Sequence, residues 1–348
     1  MIGGLELNGE DNQDGEQESQ NENNKASSGA QRARRQPLKD ISSTPRESTP
    51  INSIPASPLG PLMTRLPKKV YIRPRITVKD EFPINPAYWN EYMNETLTYI
   101  TDIEDRYDRY YYFSNQPLIK SDMRRVLVMW LMELCYGPFR FEASTLHHAV
   151  CILDRFMTAS LPGSIDSSLL QCIGVCALMI AGKLDENGFK FSTEDLSMLC
   201  DRAYTPGEIA GMEIRILVTL KFEVLVASTC SFADFFRRAI EPNSLSTLLI
   251  DFLCDLSLLS HEFLEFNPSQ IAATAVWIAL CATDRNWTEE LAIATGYSRT
   301  ILTQSVKVYA SLVAQCINSI EGLKCLALKY PLEETLLILS RLLVQGQA

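Results

Sequence analysis

The chain has 348 residues, enough for about two domains of ordinary size. Hydrophobic residues make up 46% and charged residues 21%, a globular composition that excludes collagen-like, disulfide-rich and wholly disordered proteins. The net charge of −10 is unevenly distributed: residues 1–24 carry −7, residues 25–79 carry +10 and residues 80–348 carry −13. The sequence therefore predicts a polar leader with a basic stretch, followed by an acidic, apolar body.

The first 86 residues form a leader that we expect to be disordered. Residues 1–60 lack aromatic side chains and are rich in Asn, Gln, Ser, Gly and Pro, so they bury too little apolar surface to offset the entropy of ordering. Residues 61–86 are typical of a basic linker punctuated by proline. No secretory signal opens the sequence, and the longest apolar run, Cys172–Gly182, has 11 residues where about 20 are needed to span a bilayer. We expect a soluble protein without a membrane partner.

From residue 86 onward the spacing of apolar residues predicts helices and no strands. A leading helix is predicted over 87–106. A first series of five helices is predicted over 121–137, 143–160, 166–184, 193–200 and 206–221. A second series of five is predicted over 230–240, 244–264, 268–283, 288–295 and 298–318. The predicted fold class is all-α.

Local signals support this arrangement. Thr205-Pro206-Gly207-Glu208 places a cap, a proline and an acid where a capping box requires them, and Asn267-Pro268-Ser269-Gln270 repeats the device. The third helix of each series is apolar all round and rich in small residues, so other helices must surround it. The sequence therefore predicts two five-helix bundles, each built around a central helix.

Enzyme motifs are absent from the sequence, which has no phosphate-binding loop, no nucleophile elbow and no HExxH zinc motif. The adjacent His147 and His148 point in different directions on a helix, which favours an interfacial or surface role. Cys172 and Cys176, like the other eight cysteines, lie in apolar patterns typical of reduced core residues in an intracellular protein. We expect no catalytic residue, no metal site and no cofactor.

The segment Met123–Leu134 carries apolar residues on two helical faces, so it is either central or has one face reserved for a partner, and periodicity alone leaves both readings open. It resembles the opening of the cyclin box, whose hallmark is M-R-x-[IV]-L-[VI]-x-W-[LM]-x-E. The resemblance continues over about residues 86–325, through these segments: 142–156, 170–186, 212–222 and 268–280. Cys200–Tyr204 and the run at 212–222 look most like mitotic B-type cyclins, including their divergent third subclass; the A type is the alternative.

The resemblance implies two tandem five-helix cyclin folds preceded by an N-terminal helix. The implied domains are a leader at 1–86, the N-terminal helix and first fold at 87–225, a second fold at 226–323 and a C-terminal tail at 324–348. The implied function is a regulatory subunit that binds and activates a cyclin-dependent serine/threonine protein kinase in mitosis, located in nucleus and cytoplasm. The alternative is a cyclin-fold relative of transcription factors that binds DNA or polymerase. The −13 charge of the body disfavours it, because DNA binding needs basic surfaces.

The resemblance also implies three sets of site residues. The residues that match the kinase contact are Lys183, Glu213, Phe222, Leu184 and Ile180. The residues that match a groove for substrates with short Arg-x-Leu-type segments are Met123, Val126, Leu127, Trp130, Glu133 and Gln171. Arg124 and Asp154 match an internal ion pair. Asn187–Phe191 stands where the family usually has a proline-containing turn.

The leader carries short regulatory motifs. Arg35, Leu38 and Ile41 resemble a destruction box (RxxLxxI), through which mitotic cyclins are captured by a ubiquitin ligase and degraded. Thr44, Thr49 and Ser57 each precede a proline and fit proline-directed phosphorylation, which adds nearly two negative charges per site.

Overall fold

The computed structural model describes residues 93–106 and 112–344, and every regular element in these two ranges is helical. This confirms the predicted all-α class. The predicted leader, 1–86, lies outside the described residues. The first described element is α1 (Met93–Arg106), which covers the end of the predicted helix 87–106.

Two units of five helices follow α1, as predicted. The helices of the first unit are α2 (Ser121–Leu134), α3 (Ala143–Ala159), α4 (Leu170–Asp185), α5 (Thr193–Leu199) and α6 (Pro206–Thr219). The helices of the second unit are α7 (Thr229–Arg238), α8 (Ser244–Ser257), α9 (Pro268–Ala282), α10 (Glu289–Thr295) and α11 (Arg299–Asn318). The segment predicted as a tail folds into two short helices, α12 (Lys324–Ala327) and α13 (Leu332–Leu339).

Each unit is built around its third helix. Every residue from Leu170 to Gly182 of α4 is buried, against α2, α3 and α6, and every residue from Pro268 to Leu280 of α9 is buried, against α7, α8 and α11. Close packing explains the small residues, because a Cβ on Gly174 would lie 2.8 Å from Leu127 Cδ1. Ser167–Asp185 is long and apolar enough to cross a membrane, yet 72% of its apolar stretch is buried inside the protein. It is the central core helix of the first unit.

The predicted helix 244–264 is wrong in its last third: the α-helix ends at Ser257, and a short 3₁₀ turn, His261–Glu265, follows. The carbonyl of Leu258 accepts a hydrogen bond from Arg124 Nη1 at 2.7 Å, from the first unit, instead of one from its own helix. Ser260 then has extended backbone, with φ −113° and ψ 130°. A contact between residues 134 positions apart therefore accompanies the end of α8.

The two predicted helix caps have different outcomes. Thr205 forms the predicted capping box with Glu208 at the start of α6. Asn267 makes no side-chain cap at the start of α9, so that prediction is wrong. Glu104 of α1 takes its place: its carboxylate accepts from Ser269 N at 2.8 Å and from Ser269 Oγ at 2.6 Å. The N-terminal helix therefore caps the central helix of the second unit.

A buried carboxylate joins the two units. Asp255 of α8 accepts hydrogen bonds from the hydroxyls of Tyr136 at 2.6 Å and Tyr330 at 2.5 Å, and lies 3.0 Å from His147 Nε2 and from Lys329 Nζ. Burial alone would raise the pKa of Asp255, but His147, Lys329 and Tyr136 outweigh it and lower that pKa to about 2. His147, predicted as interfacial or surface, is buried at this junction.

The ten cysteines all fall within the described ranges, and no disulfide joins them. Seven are buried, as expected of core residues: Cys135, Cys172, Cys176, Cys200, Cys254, Cys316 and Cys325. Burial raises the pKa of the Cys200 thiol to about 12, which keeps it protonated and unreactive at neutral pH.

Candidate partner-binding site

The two charged residues assigned to the kinase contact lie side by side. Lys183 is in the last turn of α4 and Glu213 is on α6, and the Nζ–Oε1 distance is 2.5 Å. The Lys183 side chain is 47% exposed and that of Glu213 is 17% exposed. Because the lysine is only partly enclosed, it retains donors for a second partner. The packing of α4 on α6 therefore presents a cation and an anion together at the surface.

Exposed apolar side chains lie on, or directly after, the two helices that carry this pair. Leu184 directly follows Lys183 and is 46% exposed, and Phe222 is 66% exposed beyond the end of α6. Phe222 and Lys221 have φ angles of 60° and 54°, in the left-handed region that residues other than glycine rarely adopt. Phe222 N donates to Leu217 O at 2.8 Å, which fixes the turn. The structure therefore holds an aromatic ring in solvent on a strained backbone.

Three exposed apolar residues on or after α6 were not identified from the sequence, and one core residue was assigned to the surface. Ile214 and Val218 lie one turn apart on α6, Leu225 lies beyond that helix, and all three are more than half exposed. The signal for Ile214 and Val218 was present, because α6 carries apolar residues on more than its buried face. Ile180, predicted to contact the kinase, is only 4% exposed and belongs to the core.

The predicted docking groove lies on α2 and α4. Four of its six residues are partly exposed on α2: Met123, Val126, Trp130 and Glu133. Leu127 is fully buried against Gly174, so it supports the groove from below instead of lining its surface. Gln171 is also buried, and its Nε2 has no hydrogen-bond partner among the described residues. A buried donor of this kind gains free energy when it meets a carbonyl.

Arg124 and Asp154 are brought together by the structure. The Arg124 Nε and Nη2 atoms donate to the two carboxylate oxygens of Asp154, each at 2.8 Å. Burial alone would lower the pKa of Arg124, but Asp154 outweighs it and raises that pKa. The Arg124 bond to Leu258 O extends this pair into the second unit, so it fixes the relation between the two units.

The other predicted motifs lie apart from these surfaces or outside the described residues. His148 Nδ1 lies 2.6 Å from Asp185 Oδ2, and this contact joins α3 to the end of α4. Cys172 and Cys176 are buried in α4. The leader motifs lie outside the described residues: Arg35, Leu38, Ile41, Thr44, Thr49 and Ser57.

Two adjoining stretches of the chain match family domains. Residues 95–225 match the cyclin N-terminal domain, and residues 227–330 match the cyclin C-terminal domain. The chain belongs to the cyclin family. In this cyclin, Lys183, Glu213 and Phe222 fall in the first matched domain, and the joining carboxylate of Asp255 falls in the second.

Its curated relatives include B-type cyclins. Cyclin-B2-1 of Oryza sativa subsp. japonica is 34% identical over 220 residues, which is 62% of this cyclin and 50% of the relative. G2/mitotic-specific cyclin-B of Spisula solidissima is 30% identical over 237 residues, covering 68% and 54%. G2/mitotic-specific cyclin-B3 of Homo sapiens is 28% identical over 290 residues, covering 83% and 20%. This cyclin thus spans about half the length of the first two relatives and a fifth of the third.

A viral cyclin from Herpesvirus saimiri shares the fold. Its crystal structure matches with a TM-score of 0.53 at 19% identity, over 64% of this cyclin and 97% of the viral chain. At that identity the likeness concerns the tandem helical architecture and not the residues of a site.

Proposed function

We propose that this cyclin is a regulatory subunit, without catalysis of its own, that binds and activates a cyclin-dependent protein kinase in mitosis. The observation that carries the proposal is the exposed Lys183–Glu213 ion pair, held at 2.5 Å, on two helices that also carry or precede the exposed Leu184 and Phe222. The names of the Spisula solidissima and Homo sapiens relatives, both G2/mitotic-specific cyclins, support the mitotic setting.

The chemistry of this surface suits a mobile helix. A protein kinase is active only when one of its helices brings a glutamate to a lysine on a neighbouring strand. Exposed apolar side chains gain about 25 cal/mol for each Å² that they bury against such a helix. Lys183 can donate to carbonyls at the helix end, where the partial charge is negative, and Glu213 can accept from amides. Together these contacts would hold the kinase helix in its active position.

Binding to a purified mitotic cyclin-dependent kinase, measured by titration calorimetry, tests the assignment. Lys183→Glu should weaken binding about tenfold or more, because two acids then face the partner. Adding Glu213→Lys restores the internal attraction but presents reversed charges, so binding should stay weak while helicity by circular dichroism is retained. Lys307→Glu, an exposed position on α11, is the matched charge control and should bind normally. Equal affinity in all variants would contradict the assignment.

We further propose that the groove on α2 and α4 helps to select substrates. A leucine of a short basic segment would pack against Met123 and Trp130, with its arginine beside Glu133, while the Gln171 amide would donate to a backbone carbonyl. Trp130→Ala should spare phosphorylation of a minimal peptide by the complex and reduce phosphorylation of substrates that carry the segment. Equal losses on both substrates would instead indicate a packing role for Trp130.

The leader motifs support a further proposal, that a ubiquitin ligase recognises this cyclin and directs its degradation. Phosphorylation at Thr44, Thr49 and Ser57 would add negative charge to the basic stretch. We place the protein in nucleus and cytoplasm. Changing both Arg35 and Leu38 to alanine should lengthen the lifetime of the protein at mitotic exit, measured in a synchronised culture after synthesis is blocked. Unchanged turnover would reject the destruction box.

A further inference from the structure

Four phenylalanines meet at the C-terminal end of α4, and we call them the phenylalanine cluster: Phe139, Phe141, Phe189 and Phe191. Five pairs of their ring centroids lie between 4.1 Å and 6.1 Å apart. These distances are typical of favourable tilted and edge-to-face contacts. All four rings are only partly buried and pack against the core. The cluster is therefore a fixed aromatic support at the protein surface.

One ring of the cluster sits directly on α4. A Cβ on Gly182 would lie 2.6 Å from both Cδ2 and Cε2 of Phe189, so any side chain here would force the ring to shift. Glycine allows the ring to lie against the helix, because the ring occupies the space in which any other residue would place its Cβ. Gly182 immediately precedes Lys183, so Phe189 supports the helix next to the proposed contact residue.

Polar contacts hold the residues that follow. Asp185 Oδ2 lies 2.6 Å from His148 Nδ1 of α3. Glu186 Oε1 accepts from Thr145 Oγ1 at 2.6 Å and from Glu142 N at 2.9 Å. The last turn of α4 is thus attached on its C-terminal side by two carboxylates and on its N-terminal side by the Phe189 ring. Lys183 and Leu184, both exposed, lie between these attachments.

We propose that Phe189 is a positioning residue for partner binding: seated on Gly182, it holds the last turn of α4 so that Lys183 and Leu184 are presented in one fixed geometry. The inference rests on the proposed function. The ends of helices fray unless tertiary contacts hold them, and ordering a frayed turn on binding costs affinity. Phe189 removes that cost because it orders the turn before the partner binds.

The first test needs no kinase. Amide hydrogen exchange of the full chain should show about tenfold faster exchange at residues 184–186 in Phe189→Ala than in the unmodified protein. Phe191→Ala removes a ring of the same cluster that is not among the atoms nearest Gly182, and it should leave those amides much less affected. Unchanged exchange in Phe189→Ala, or an equal increase in both variants, would overturn the proposal.

A double-mutant cycle tests the link to binding. Phe189→Ala should weaken the affinity for a mitotic cyclin-dependent kinase about tenfold in the unmodified chain, but about threefold or less when Lys183 is already alanine, because only Leu184 is then left to be positioned. A ring that only stabilises the fold would give equal losses in both backgrounds, and that result would overturn the proposal. Failure of the unmodified chain to bind any such kinase would instead remove the proposed function.

A second variant covers the case in which Phe189→Ala does not fold. Gly182→Ala keeps the ring but forces it off the helix, so it should reproduce both the faster exchange and the dependence on Lys183. Circular dichroism verifies its helicity. Normal exchange and normal binding in a folded Gly182→Ala protein would contradict the positioning role.

Discussion

Phe222 combines two properties that cost stability in the protein without a partner. Its backbone is in the left-handed region with φ 60°, and its ring is 66% exposed. A left-handed residue other than glycine costs about 1 kcal/mol or more, and strain of this kind concentrates at functional sites. Lys221 shares the strain, with φ 54°, but not the aromatic ring. Substitutions at Lys221 and at Phe222 can therefore distinguish the effect of backbone strain from the effect of the ring on partner binding.

Glycine at either position should relieve strain, with different consequences for binding. Lys221→Gly should raise the free energy of unfolding by about 0.5–1 kcal/mol and leave kinase binding unchanged. Phe222→Gly should leave stability equal or higher but weaken kinase binding about tenfold, because the exposed ring is lost. Urea unfolding and titration calorimetry on the two variants measure both effects. Normal kinase binding by Phe222→Gly would show that the ring is not a contact.

At the scale of elements, local signals predicted the helices and their order, but long-range contacts decided where some begin and end. The capping box at Thr205 depends on residues three positions apart, so it could be read from the sequence. The cap of α9 comes from Glu104, 165 residues away from Ser269, and no local pattern indicates it. The break after α8 likewise involves Arg124, which is distant in sequence.

In the candidate site, too, some features could be predicted from the sequence and others could not. Lys183 and Glu213 were identified only by resemblance, since periodicity leaves an exposed lysine at a helix end without a role. Ile180 was misplaced because α4 is apolar on all sides, so its sequence does not distinguish a surface position from a core position. The junction at Asp255 was missed because its partners come from distant parts of the chain.

The cap that α1 supplies to α9 makes a prediction at this scale. Glu104→Ala should lower the free energy of unfolding by about 1 kcal/mol, because Ser269 N loses its acceptor at the helix start. Asp105→Ala, on the same helix but exposed, is the matched control and should have little effect. Thermal and urea unfolding of the two variants give the comparison. Equal stabilities would show that α1 does not support the second unit in this way.

At the scale of the whole molecule, Asp255 joins the two cyclin folds and makes their stability sensitive to acid. Its pKa in the folded protein is lowered from 3.8 to about 2, so its ionised form favours folding. This contribution is fully present above the unfolded pKa and is lost as the pH falls from about 4 towards 2. Linkage gives about 2 kcal/mol for a shift of this size in a buried group.

Urea unfolding at pH 7 and at acid pH tests this contribution. The unmodified protein should lose stability as the pH falls towards 2, and Asp255→Asn should be less stable at pH 7 but lose less on acidification. Parallel pH profiles for the two proteins would show that Asp255 does not carry the acid sensitivity.

The charge of the molecule distinguishes the two functions considered for this fold, kinase regulation and the binding of DNA or polymerase. Residues 80–348, which include both cyclin domains, carry −13, and nucleic-acid binding at physiological salt depends on basic surfaces that neutralise phosphates. The surface ion pair Lys183–Glu213 and the exposed apolar residues of the same unit instead suit a protein partner. The regulatory role in a kinase complex is therefore the central claim.

Histone phosphorylation by a purified mitotic cyclin-dependent kinase, with and without this chain, tests that claim most directly. We predict that adding the unmodified chain raises the rate steeply. The chain with Lys183→Glu and Glu213→Lys together should raise it far less at the same concentration. Absence of stimulation by the unmodified chain with every mitotic cyclin-dependent kinase tried would contradict the proposed function.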